Sequence, residues 1–386
     1  MSARISCDVA VVGGGLAGAL IALALRRRRP DCDVRVIEAS ARLGGNHLWS
    51  FFASDIDPAH SWLIAPLIGH GWAGYDVAFP GHARSLRARY YSIESRHLDL
   101  VLRRTLPREA LLLGREVTTV TPTSVQLAGG GLVEARGVID CRGAADLSTL
   151  ELGWQKFLGR ELELTEPHAV AHPVVMDATV PQLDGYRFVY TLPFTPTRLF
   201  VEDTYYSDTP DIDVPALRER IDLHAARQGW QVERVLREEA GALPVVMGGD
   251  FDAYWRSGGE GVAKAGVRAG LFHPLTSYSL PDAVRTAALV ADTASLEGAA
   301  LHELLHGHAR RTWRARGFYR MLSRMLFKAA DPEARYKVLE RFYRLDADLI
   351  ARFYAGQSSV WDRVRVLSGK PPVPIGRAVQ ALRGRT

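Results

Sequence analysis

The chain has only three cysteines in 386 residues, and Cys7, Cys32 and Cys141 are scattered without the spacing of a metal-ligand set. So few, so placed, they fit a reducing cytosol and exclude a disulfide-stapled scaffold. No segment repeats and none is of low complexity, which sets aside solenoids and disordered tails. A membrane-crossing run of about 20 apolar residues is also missing. Residues 7–25 come nearest, but glycines interrupt them, Asp8 lies inside them, and arginines follow at 26–29. A signal peptide carries its charges ahead of the apolar stretch, so neither a leader nor a span is expected. The protein is therefore expected to be cytoplasmic, with any membrane contact peripheral. A chain of this length with 47% hydrophobic residues suggests two domains and a sizeable core.

What is present begins with one βαβ unit over Cys7 to Glu38. The strand CDVAVV runs into Gly13-Gly14-Gly15-Leu16-Ala17-Gly18, then a helix, then the strand DVRVIE ending on Glu38. Gly13 permits the tight turn, Gly15 lets backbone approach a diphosphate, and Gly18 allows close helix–strand packing. The helix start at Leu16 and Ala17 offers free N–H groups to the anion. Glu38 lies 20 residues past Gly18, where an acid that binds ribose hydroxyls is expected. A glycine triplet alone says little, but the whole unit points to a dinucleotide.

Further along, SRHLDLVLRRTL reads as a helix, and residues 114–143 read as successive strands around a GGG turn. Residues 155–245 turn rich in β-branched and aromatic side chains, as in a sheet inserted into the nucleotide-binding fold. Within them GYRFVYTLPF and LFVEDTYY form a hairpin turning at Pro196. The segment Gly266 to Ala287 is a second cofactor candidate. Gly270, the Thr276-Ser277-Tyr278 turn and Pro281 opening a helix would aim N–H groups at an anionic edge. An ordinary helix cap explains the same spacing.

Glu202 and Asp203 are neighbours on one strand, so alternation sends them to opposite faces. Only one can face a given pocket, and Glu202 is the better candidate for a desolvated acid. A solvent-facing pair remains the plain alternative. The run His302-Glu303-Leu304-Leu305-His306 matches a zinc-hydrolase pattern. Gly307 is expected to end that helix, and no distant third ligand is evident, so no metal is expected. From Arg310 to Thr386 the chain reads as helical and basic, with 18 Lys/Arg against six Asp/Glu. Aromatics interleave with these charges. Arg314, Arg316 and Arg320 are the expected contacts to anionic headgroups, against a helical cover with solvated arginines. No nucleic-acid reader motif accompanies the charge, so nucleic acid is not expected as a partner.

Several segments together resemble the bacterial lycopene β-cyclases of carotenoid biosynthesis: GGNHLWSFF (44–52), MDATV (176–180), GYRFVYTLPFTPTRLFVEDTYY (185–206), REEAGALPV (237–245), RAGLFHPLTSYSLP (268–281), FYRMLSRMLF (318–327), ERFYRLDADLIARFYAG (340–356) and LSGKPPVP (367–374). The resemblance implies an α/β fold: a Rossmann-like FAD-binding domain of the hydroxylase type (1–150 and 246–305), an inserted β-rich substrate domain (151–245) and a helical basic C-terminal region (306–386). It implies FAD in its reduced form, with NAD(P)H as electron source, bound by Gly13, Gly15, Leu16, Ala17, Gly18, Glu38, Gly270, Thr276, Ser277 and Tyr278. It also implies redox-neutral cyclisation of lycopene to β-carotene through γ-carotene, association with related carotenoid enzymes, and catalysis by Glu202 with Asp203 beside it. Tyr186, Phe188, Tyr190 and Phe194 are candidate π-faces for a cationic substrate. Leu48, Phe52, Leu275 and Ser277 depart from the pattern, and Ser277 replaces a glycine. An FAD monooxygenase or isoprenoid reductase on the same fold is the competing reading, and a zinc hydrolase the remote one.

Overall fold

The run CDVAVV forms the inner part of the central strand Arg4–Val12 of a mainly parallel sheet in the computed structural model, which describes residues 4–369 and 375–383. The strand order is Leu111–Leu113, Val34–Glu38, Arg4–Val12, Leu132–Asp140, Ser124–Leu127, Val117–Val120, with Ala263–Lys264 pairing onto Leu132–Asp140. The helix Leu16–Arg28 is apolar all round and is buried from Leu16 to Leu25, as such a helix must be. It packs against the helix Leu280–Asp292, whose Ala and Val residues permit a close crossing. The two candidate cofactor segments are thereby neighbours in space.

A second, seven-stranded sheet has the order Val232–Gly249, Leu150–Leu164, Arg198–Ser207, Tyr186–Thr195, Val174–Asp177, Tyr75–Phe79, His82–Leu86. It draws two strands from residues 75–86, ahead of residues 155–245, whose composition reads as an inserted sheet. Those strands are only five residues each, too short for their alternation to stand out. A third sheet joins Leu48–Phe52, Tyr90–Glu94 and His70–Trp72.

The strand Arg198–Ser207 divides its side chains between two cores. Phe200 and Tyr206 face a core with Tyr186, Phe188, Tyr319, Phe342 and Phe353. Val201 and Tyr205 face another with Val189, Leu217 and Ile221, covered by the helix Val214–Arg227. The C-terminal helices therefore roof the face that carries Glu202. Most tail aromatics serve this packing. The LSGKPPVP segment extends outside the described residues at 370–374.

The helix expected to stop at Gly307 instead runs unbroken over Gly298–Ala315. A glycine inside a helix costs only about 1 kcal/mol, and buried Leu301, Leu305 and Ala309 hold this one in place.

Candidate functional site

The geometry of the glycine turn fits a diphosphate. Gly13 has φ +98°, and a Cβ on Gly18 would collide with the Gly13 carbonyl oxygen. Around Gly15 nothing lies within 4 Å of where a Cβ would stand, so that side of the turn is open. Gly15 caps the helix without any side-chain hydrogen bond, leaving its first N–H groups for a ligand. Glu38 is fixed by the Gly14 N–H at 2.7 Å and by the Ser40 N–H and hydroxyl, both at 2.9 Å.

The second segment has a matching character. Gly270 is left-handed at φ +69°, and the helix Leu280–Asp292 opens with Pro281. The Thr276 hydroxyl is buried with no hydrogen-bond partner among the described residues, and Thr276 also lines an apolar cavity. Ser277 takes φ +57°, the conformation glycine adopts freely. Its hydroxyl donates to the Pro244 carbonyl at 2.7 Å and its N–H to the His273 carbonyl at 2.8 Å. Those bonds offset the strain where the resembling pattern has glycine.

Register settles the surroundings of Glu202. Tyr190 lies directly opposite it on one side and Gly159 on the other, and Gly159 in turn pairs with Glu239. One row across the sheet thus reads Glu239, Gly159, Glu202, Tyr190. The ring of Phe200 fills the space that a side chain at Gly159 would need. Glu202 keeps some accessible surface, yet the residues packed around it take most of its carboxyl's surroundings out of water. That burial pushes its pKa up to about 8; the Thr204 hydroxyl, donating at 2.6 Å, pulls it back, and the negative Glu239 raises it further. A carboxylic acid that stays protonated at neutral pH is the result.

Tyr186, Phe188 and Tyr190 share the face of Glu202 by alternation along their strand, and Phe194, at a bulge, stacks on Phe200 of that same face with centroids 6.4 Å apart. They differ in surroundings. The Tyr190 hydroxyl meets that of Tyr90 at 2.9 Å. Tyr186 and Phe188 pack with ring centroids 5.2 Å apart, and Phe194 stacks on His70 at 4.1 Å. Tyr278 packs on Tyr354, with centroids 6.0 Å apart, which joins the second cofactor segment to this aromatic wall.

Asp203 points the other way. Its carboxylate is fully buried and held by a fork from Arg187, Nε to Oδ1 at 3.0 Å and Nη2 to Oδ2 at 2.5 Å. It is separated from the Glu202 pocket by the sheet itself, so the two acids do not work on one substrate atom. Arg316, expected to meet headgroups, is likewise buried, with Nη1 and Nη2 on Asp282 at 2.6 and 2.9 Å. Arg320 lies 4.0 Å over the Trp313 ring. Arg314 stays exposed. His302 and His306 stack at 5.6 Å against Trp255, and among the described residues no group of three or more candidate ligands could hold a metal.

Two acids near the site were not singled out from sequence. Glu239 is nearly buried and accepts from His47 Nδ1 at 2.9 Å, the Leu48 N–H at 3.1 Å and Arg237 at 3.4 Å. Such a donor set suits a carboxylate. Alternation in REEAGALP sends Glu239 and Glu238 to opposite faces, but only the strand register puts Glu239 on the Gly159 row. Asp55 is buried too, with one oxygen on the Phe52 N–H at 2.9 Å and the other without a hydrogen-bond partner among the described residues. Burial pushes it up to about 7. Its signal was only a short ASD turn, too common to notice.

Comparison with known proteins adds an independent line. The profile of a family described as lycopene cyclase protein matches residues 8–380. A lycopene β-cyclase from Pantoea ananas is 46% identical over 376 residues, 97% of either chain. One from a Paracoccus species is 42% identical over 379 residues, again 97% of each. Among solved structures, a geranylgeranyl bacteriochlorophyll reductase-like protein from Thermoplasma acidophilum aligns with TM-score 0.64 at 12% identity, covering 98% of this chain and 99% of its own. The p-nitrophenol 4-monooxygenase of Pseudomonas putida aligns with TM-score 0.62 at 16% identity, covering 92% and 99%. At those identities the structural likeness establishes the fold: the α/β, Rossmann-like architecture of FAD-dependent monooxygenases, with a helical C-terminal region.

Proposed function

The chain belongs to the lycopene cyclase family, and from that membership we propose that it closes β-ionone rings on lycopene, giving β-carotene through γ-carotene. The observation that carries the chemical reading is Glu202, a carboxylic acid kept neutral inside an aromatic wall. Protonating an unactivated alkene requires such an acid, screened from water that would otherwise level its strength. Glu202 transfers its proton to the terminal double bond. The tertiary cation so formed is attacked by the neighbouring double bond, and loss of one proton completes the ring. One proton enters and one leaves, so no electrons are exchanged. Tyr190, opposite Glu202, and Tyr186, Phe188 and Phe194 on the same face offer π-faces to the cation.

The turn at Gly13, Gly15, Leu16, Ala17 and Gly18, with Glu38, fits the diphosphate and ribose of FAD. Gly270, Thr276, Ser277 and Tyr278 fit its ring end. When bound in reduced form, that group supplies negative charge beside the cation. NAD(P)H is the reductant this reading calls for. Lycopene lives in lipid, and no described helix is long and apolar enough to cross a membrane. The reading therefore includes peripheral membrane association and, with it, contact with other carotenoid enzymes.

Purified protein given chemically reduced FAD and lycopene in liposomes, without oxygen, is expected to form β-carotene. A monooxygenase or isoprenoid reductase would instead consume NAD(P)H in proportion to product. The pH dependence carries a sign. Turnover needs the protonated acid, so it is expected to fall as pH rises through about 8, the pKa of Glu202. Folding stability is expected to fall over the same approach. The folded pKa lies above the usual 4.5, so the native state binds the extra proton between those values. A rate that climbs steadily beyond that range would remove Glu202 from the role of acid.

A further inference from the structure

Four apolar side chains of the helix Val360–Leu367 stand in solvent: Val360 at 72%, Trp361 at 80%, Val364 at 52% and Leu367 at 48% exposure. Their spacing gathers them along one side of the helix. The helix is not frayed. Ser359 and Asp362 cap it reciprocally, and Arg352 holds Asp362 by a fork at 2.8 and 2.7 Å. Arg341 fastens its end through the carbonyls of Val366 and Ser368. A rigidly held apolar stripe with Trp361 at its crest is poorly suited to water.

Beneath this stripe lies an apolar cavity of about 240 Å³. Leu367 belongs to both, exposed on the helix and lining the cavity together with Val366 and Val379. The lining continues inward through Leu339 and Phe342 to Tyr206 and Thr276. Tyr206 is on the face of Glu202, four residues along the same strand, about 13 Å at the usual rise. The apolar lining therefore reaches from the exposed helix to Tyr206, on the strand that carries Glu202, and to Thr276 of the second cofactor segment.

Charge says what covers the stripe. Residues 357–386 hold six Lys/Arg and one acid, Asp362, which Arg352 already engages. Arg365 is exposed on the helix itself. Trp, Val and Leu at the crest with arginine beside them match the interface of an anionic bilayer.

We infer that the Val360–Leu367 helix seats the protein on an anionic lipid surface, and that the cavity under it is the portal through which a polyene passes from lipid to the Glu202 chamber. The portal rests on the cyclisation reading above, whereas the docking face stands on its own observations. The helix replaces Arg316 and Arg320 as the expected lipid contact.

The test uses the full chain with chemically reduced FAD and without oxygen, phosphatidylcholine vesicles containing phosphatidylglycerol, and lycopene delivered either in those vesicles or in detergent micelles. Trp361→Ser with Val364→Ser alters only exposed side chains, and an unchanged melting curve verifies the fold. Vesicle flotation is expected to weaken by at least about tenfold for the pair, from the apolar area withdrawn. Turnover from vesicles should fall in parallel, with turnover from micelles within about twofold of the parent. Unchanged flotation, or a shift from dimer to monomer in place of lost flotation, overturns the docking face. Lost flotation with vesicle turnover intact overturns the portal. Should the parent convert no lycopene even in micelles, the cyclisation reading fails, and with it the portal, while flotation still decides the docking face.

Discussion

Glu202→Gln is expected to lower cyclisation by at least about a thousandfold, the range typical of removing an essential acid. The amide keeps the shape and can still accept from Thr204, whose hydroxyl stands 2.6 Å from Oε1. It cannot supply a proton. Folding should survive, because the substitution removes a group that burial already disfavours in its charged form. FAD binding should survive as well, since the glycine turn and the Thr276–Tyr278 segment lie on other elements. Product analysis beside flavin absorbance and a melting curve separates these outcomes. Turnover close to the parent with fold and flavin intact would transfer the acid role elsewhere, and Asp55, buried and pushed up to about 7, is the next group to examine.

Arg187→Leu is expected to destabilise the fold by about 3–5 kcal/mol, because it strands a buried carboxylate at Asp203. The double variant Arg187→Leu with Asp203→Leu should recover most of that loss, since both charges then leave the interior. Urea unfolding of both variants measures the difference. The cycle also decides what Asp203 does. The family motif pairs it with Glu202, but the structure sets it across the sheet in the grip of Arg187, so its expected part is to position the strand. A double variant of near-parental stability should keep turnover within about tenfold of the parent, the scale of a modest displacement. Loss on the scale of Glu202→Gln would give Asp203 a direct part in the chemistry.

The contrast between these two acids shows where the sequence is legible. Strand alternation alone separates Glu202 from Asp203, because period-two geometry is local. The glycine turn was legible for the same reason: Gly13, Gly18 and Glu38 sit within one βαβ unit whose spacing is fixed by backbone. Glu239 was not, since its place beside Glu202 depends on the register of two strands separated by tens of residues and on Gly159 between them. The helix through Gly307 shows tertiary packing overriding a local stop signal. Arg316 shows the limit of composition. Charge counting placed it on the surface, whereas Asp282, 34 residues away, holds it inside.

Mass analysis of the carotene formed in deuterated water follows the proton that, on the proposed mechanism, Glu202 gives up to start a redox-neutral ring closure. The protein is equilibrated there with reduced FAD and without oxygen before lycopene is added. Glu202 then carries a deuteron, and the expected product gains a single deuterium for each ring closed, with the flavin still reduced at the end. Rings closed without deuterium, or flavin oxidised in step with product, would contradict that mechanism.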